Sequence, residues 1–135
     1  MFGLLRYRDA TVIGRLGEVR WRFGRVATLE ALLGKDGDPF ILYTERTPLL
    51  GLSRVWFDLD KPGRNTLSTF LARKSYERRV LCRFGGWGDQ LHLDAAVVDG
   101  ALQMWYVRKR FPWPRTTVEF GIGEAEESHL RRLLK

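Results

Sequence analysis

The chain has 135 residues and a formal charge of +7, with 44% apolar and 13% aromatic residues. That composition supplies a packed core and excludes a disordered chain, and the length points to one domain over residues 1–135. Cys82 is the only cysteine, which rules out an intramolecular disulfide, and no stretch approaches the ~18 apolar residues of a spanning helix.

The amino-terminal apolar run is too short for a signal peptide, so the expected location is cytoplasmic, with no membrane partner. Eighteen of the 23 basic residues are arginine. The positive sign favours a polyanionic partner, but charge alone carries no specificity, and an arginine bias is a weak mark of thermostability.

In chain order, residues 4–7 and 11–16 read as short strands, with turns at 8–10 and 16–18. Residues 18–23 alternate, placing Val19, Trp21 and Phe23 on one face and Arg20 and Arg22 on the other. Val26, Leu29, Leu32 and Leu33 recur at helical spacing before Gly34, which predicts a short helix over 26–33. Phe40 to Thr44 reads as an interior strand. Ser53 to Leu59 reads as another, with Val55, Phe57 and Leu59 opposite Arg54, Trp56 and Asp58. After the turn at 60–63, Asn65 is a candidate cap for a helix carrying Leu67, Phe70 and Leu71.

The second half is more plainly β. Arg79 to Phe84 is a strand in which Cys82 shares a face with Val80 and Phe84, as a buried structural thiol. Leu91, Leu93, Ala95 and Val97 alternate up to Asp99-Gly100, the best hairpin signal in the chain, and the return strand runs from Ala101 to Lys109. Phe111-Pro112-Trp113-Pro114 is expected to be extended. A strand over 117–122 precedes a terminal helix with acids first and bases last. The predicted fold is α+β and mainly antiparallel, one sheet or a partly open barrel of about eight strands with two or three helices, and no internal repeat.

Three basic clusters bear on function. The first is Arg108, Lys109, Arg110 and Arg115 around Phe111 and Trp113, where cations suit phosphates and rings suit unpaired bases. The competing expectation is that Phe111 and Trp113 pack inward. The second is Arg20, Arg22 and Arg25, extended by Arg6, Arg8 and Arg15. The third is Arg73-Lys74 with Arg78-Arg79. Trp87, within Gly85-Gly86-Trp87-Gly88, is either a stacking platform or folds back on the core.

His92 and Asp94 share a strand face and, with Asp58, Asp60, Asp89, Asp99 and Glu119, are the candidates for catalysis. A metal-dependent nuclease would use such acids, but the Asp…Glu-x-Lys pattern is missing. An exposed surface pair is the simpler expectation. His129 is expected to be solvated. No Walker loop, dinucleotide fingerprint, zinc spacing or nucleophile elbow occurs, so no cofactor and no metal are expected.

The leading expectation is therefore a non-enzymatic nucleic-acid-binding domain for single-stranded DNA or RNA, using Arg20, Arg22, Arg25, Trp87, Arg108, Lys109, Arg110, Trp113 and Arg115. A protein-interaction module (an inhibitor, immunity or phage-encoded adaptor) meeting an acidic partner comes second, and a small nuclease third. Whether the exposed aromatics lie inside the positive patch or beside it separates the first two.

Overall fold

A computed structural model describes residues 10–72 and 77–135. The expected strand at 4–7, and Arg6, Arg8, Arg73 and Lys74, lie outside the described residues. Strands β1 (Thr11–Arg20), β2 (Val26–Leu33), β3 (Pro39–Thr47) and β4 (Gly51–Asp58) form one antiparallel meander. Strands β5 (Arg79–Gly86), β6 (Asp89–Val98), β7 (Ala101–Arg110) and β8 (Thr116–Ile122) form a second. The fold is thus mainly antiparallel β in two four-stranded sheets, neither one continuous sheet nor a closed barrel.

Helix α1 (Lys61–Leu71) follows the first sheet and α2 (Glu124–Leu133) the second. The order ββββα therefore occurs twice, a repeat of topology that the sequence does not show. The helices dock crosswise, α1 against β5 and β6 and α2 against β1 and β2.

The inner faces meet in one core. Ala27, Leu29 and Ala31 of β2, Ile41 and Tyr43 of β3, and Val55 and Phe57 of β4 face Leu93, Ala95, Met104, Tyr106, Val118 and Phe120 of the second sheet. The period-2 alternation of β4, β6 and β8 directs this burial. The β6–β7 turn is the one expected at Asp99-Gly100, whose φ values of 52° and 79° are the positive angles that a two-residue hairpin needs.

Several expectations are corrected. Residues 26–33 are a strand, not a helix, paired to both β1 and β3. Leu32 faces outward into a satellite cluster with Phe40 and Leu42, so apolar residues on both faces mimic helical spacing. No turn occurs at 16–18, because β1 runs through Gly17 with two register irregularities that absorb the extra residues.

The next strand does not reach Phe23. The chain leaves β1 at Arg20 and forms a tight turn at Arg22–Gly24. Asp60, not Asn65, caps α1, its Oδ1 accepting from the Gly63 N–H at 3.0 Å. A bulge in β5 sets Val80 opposite Asp94 and Cys82 opposite Leu93, so Cys82 shares the face of Phe84 but not of Val80.

The segment at 111–114 is a compact turn, not extended. Its Phe111–Pro112 bond is cis, and the Trp113 N–H donates to the Arg110 carbonyl at 2.6 Å. Nor is His129 solvated. It lies against Gly14 of β1, with Nδ1 buried and without a hydrogen bond among the described residues.

Candidate anion-binding end of the sandwich

In each meander the first and third turns fall at the same end. Gly24, in the β1–β2 turn, lies against Pro48 of the β3–β4 turn. In the second sheet the Phe111 N–H donates to the Gly88 carbonyl at 2.9 Å, tying the β7–β8 turn to the β5–β6 turn. Leu50 and Gly51 face Trp113 and Pro114 across a cleft, which brings all four turns to one end of the sandwich.

This end is unusually apolar at its tips. Phe23 is 92% exposed, Leu49 97% and Trp113 66%, and Leu50, Trp87 and Phe111 are exposed as well. Phe23 also holds a left-handed φ of 65°, uncommon for an aromatic residue. Monomeric surfaces seldom gather so many large apolar side chains without a binding role. Arg22 on the β1–β2 turn and Arg115 on the β7–β8 turn adjoin these tips in the chain, with no ion pair among the described residues.

Between the sheets the tips open on a cleft of about 530 Å³. Its floor is the pair Tyr43 and Tyr106, stacked with centroids 3.6 Å apart and planes 4° from parallel. Arg25, Arg108 and Arg110 line its walls. Arg25 donates to Glu45 through Nε and Nη2, both at 3.2 Å, and its guanidinium lies 4.0 Å over the Trp21 ring. The Tyr43 hydroxyl donates to the same carboxylate at 2.6 Å.

Arg108 makes the matching fork to Asp89 at 3.1 and 2.8 Å, while Arg110 approaches Asp89 only to 3.7 Å. Burial pushes the Tyr106 phenol up to about 12, against the opposing pull of Arg108. Burial also raises Tyr43, with help from its bond to Glu45. The cleft is thus a preorganised polar site with fixed guanidiniums, an arrangement suited to phosphate or carboxylate groups.

No protein-family model matches this chain, and neither a curated protein nor a solved structure matches it significantly.

The structure brings Arg25, Arg108, Arg110 and Trp113 together in the cleft, while Arg22, Arg115 and Trp87 lie on turns at the same end, outside its lining. Trp87 sits on a tight hairpin without folding back, and Phe111 and Trp113 are not packed inward. Lys109 is excluded from the cleft, because it pairs with Gln90 on the opposite face from Arg108 and Arg110. Arg20 lies on the outer face of the first sheet.

Sequence reading missed Tyr43, Glu45, Tyr106, Leu49 and Leu50. Of these, the apolar pair Leu49-Leu50 beside Pro48 and Gly51 was a usable sign of an apolar turn.

The remaining candidates sit elsewhere. Asp94 is only 6% exposed and therefore not an ordinary surface acid. It accepts from Arg78 Nε at 2.8 Å, and that guanidinium lies 4.3 Å over Trp105. His92 Nε2 stands 3.3 Å from Asp94 Oδ1 but out of line for a hydrogen bond. Cys82 is buried, and desolvation raises its thiol pKa, with Asp60 and Asp58 adding to it. Among the described residues no three His, Cys, Asp or Glu side chains gather where a metal ion could bind. No helix among them is long and apolar enough to cross a membrane.

Proposed function

We propose that the loop end of the sandwich binds single-stranded nucleic acid, without catalysis. One observation supports this reading: the rings of Phe23, Trp87, Phe111 and Trp113 are exposed on turns at one end of the sandwich, and Arg22, Arg110 and Arg115 adjoin them in the chain. Guanidiniums neutralise phosphates, and rings beside them stack on bases whose faces are unpaired. Arg25 and Arg108 each donate Nε and Nη2 to a carboxylate, so a phosphate at the cleft competes with Glu45 and Asp89 for them.

The test is a fluorescence-polarisation titration of the chain with single-stranded DNA, RNA and duplex DNA at two salt concentrations. Binding should weaken with salt at a log–log slope of roughly −0.7 per phosphate contact for a single strand. Trp113→Ala should cost about 1–3 kcal/mol of single-strand affinity and less for duplex. Its melting temperature should stay near that of the wild type, since the ring is mostly exposed. Binding that ignores salt, or none below micromolar protein, overturns the reading.

Leu49 and Leu50 favour a second reading, a protein partner docked on the same end, because neither stacking nor phosphate contact uses them. Replacing both with serine should leave single-strand affinity within about twofold if nucleic acid is the ligand.

A further inference from the structure

The outer face of the first sheet forms a second concave surface, a trough of about 840 Å³. Strand register orders it in rows. The row nearest the loop end reads Arg20, Val26, Arg46, Leu52 from β1 to β4, and the next reads Glu18, Thr28, Thr44, Arg54. A third row reads Arg15, Glu30, Leu42, Trp56.

Charge divides this surface. Arg15 and Arg20 share Glu18, at 3.7 and 3.2 Å, and Glu30 lies in the next strand. Both acids are therefore on the β1–β2 side. Arg46 and Arg54 occupy the β3–β4 side, exposed and without an ion pair among the described residues. They are diagonal neighbours across one strand pair, which sets their backbones about 7–8 Å apart. Trp56 follows Arg54 on the same face of β4, half-buried against the Leu32, Phe40 and Leu42 cluster.

We propose that this trough continues the strand-binding path. A single nucleic-acid strand held at the loop end passes over the Arg46 end of the first row and runs down the β3–β4 side, its phosphates on Arg46 and Arg54. The proposal rests on the nucleic-acid reading of the loop end. Continuity supports it, because Arg46 and Leu52 flank the turn that carries Leu49 and Leu50 at the mouth of the cleft. Charge supports it too, since Glu18 and Glu30 offset Arg15 and Arg20 on the other half, whereas no acid of the trough offsets Arg46 and Arg54. The hydroxyl of Thr44, paired across from Arg54 and two residues before Arg46 on β3, is a further phosphate donor.

Footprint length provides the test. The full chain and its Arg46→Ala/Arg54→Ala variant are titrated with oligothymidylates of about six and about twenty nucleotides, lengths that bracket a single-module site. The wild type should bind the long strand more tightly than the short one by more than the gain in lattice positions. The variant should bind the short strand within about twofold of wild type and lose about tenfold or more on the long strand. Its salt slope on the long strand should fall by about one to two contacts' worth, roughly 0.7 each. An Arg46→Lys/Arg54→Lys variant should recover much of that slope, because charge is retained.

Equal loss on both lengths, or no loss on the long strand, overturns the trough proposal while leaving the loop end intact. Should neither length bind the wild type, the loop-end reading falls and the trough proposal with it. Tight binding of an acidic peptide, in place of the long oligonucleotide, that is lost in the alanine variant also overturns it in favour of a protein ligand. Both arginines are exposed, so the alanine variant should melt with the wild type, which a thermal scan verifies.

Discussion

Tyr43 of the first sheet and Tyr106 of the second lie face to face, 3.6 Å between ring centroids and 4° from parallel. Phe57 and Phe120 meet this pair edge-on, so the stack bridges the two sheets beneath the cleft. It joins core to site: the same rings that seal the sandwich form the floor on which Glu45 and Arg108 are placed. Removing Tyr106 as Tyr106→Ala should cost about 3–5 kcal/mol in a denaturant melt, in the range for a large buried aromatic.

Alkali should expose the same pair. Tyr106 ionises in the folded chain at about 12 and Tyr43 is raised further, whereas an unfolded tyrosine ionises near about 10. A raised folded value means that the unfolded chain releases its proton first. Their contribution is thus complete below pH about 10 and declines as pH climbs toward the folded values, by up to about 1.4 kcal/mol per pH unit for each phenol. Denaturant melts at pH about 8 and about 11 measure it. Tyr106→Phe should show a shallower decline than wild type, and identical slopes would contradict the burial of this hydroxyl.

The hairpin at Asp99-Gly100 and the core faces of β4 and β6 were legible because local rules decide them: a dipeptide that accepts positive φ, and a period of two with one face buried. Strand β2 was not, since Leu32 and Leu29 are buried on opposite faces and their combined spacing copies a helix. Nor could alternation reveal two sheets, because the break comes from α1 interrupting the pairing between Asp58 and Arg79, a matter of tertiary packing.

At the site, the arginines were visible as residue types, but their convergence depends on bringing the β1–β2 turn beside the β7–β8 turn. The exclusion of Lys109 was available in principle. It sits between Arg108 and Arg110 on a strand, so its side chain points the other way.

Gly63 sets two effects against each other. Alanine in a helix gains about 1 kcal/mol over glycine from propensity alone. However, a methyl group here would run into the carbonyl oxygen of Leu81 on β5, a backbone atom that cannot swing aside. The clash should win, with Gly63→Ala destabilising by about 1–3 kcal/mol and lowering the melting temperature. An unchanged or higher melting temperature would mean that α1 shifts freely on β5.

Asp94 should matter for stability and not for binding. Asp94→Ala removes the acceptor of Arg78 and loosens the guanidinium stacked on Trp105. Arg78 is about half exposed and can turn to water, so the loss should be about 1–3 kcal/mol, below that of a wholly buried pair. Single-strand affinity should be unchanged, since this cluster lies on the outer face of the second sheet, away from the cleft. A selective loss of binding without a change in melting would place a ligand on that face.

Glu45 offers the sharpest probe of the cleft. Its carboxylate accepts both bonds of the Arg25 fork and the Tyr43 hydroxyl, and so cancels one of the cationic charges facing the opening. Glu45→Gln preserves shape and one of the two acceptor oxygens while removing the charge, and its amide nitrogen, a donor, breaks one arm of the Arg25 fork. The charge-assisted bonds weaken, and the part-exposed setting limits the cost to about 1 kcal/mol. In exchange, the net charge of the cleft rises by one and Arg25 is released to meet a phosphate. Affinity for a single strand should increase several-fold, and the log–log salt slope should steepen by up to one contact's worth, about 0.7. Paired titrations at two salt concentrations read both quantities. Tighter binding with an unchanged slope would mean that Arg25 acts through the general field of the cleft. Unchanged affinity and slope would confine the contacts to the loop tips and remove the cleft from the site.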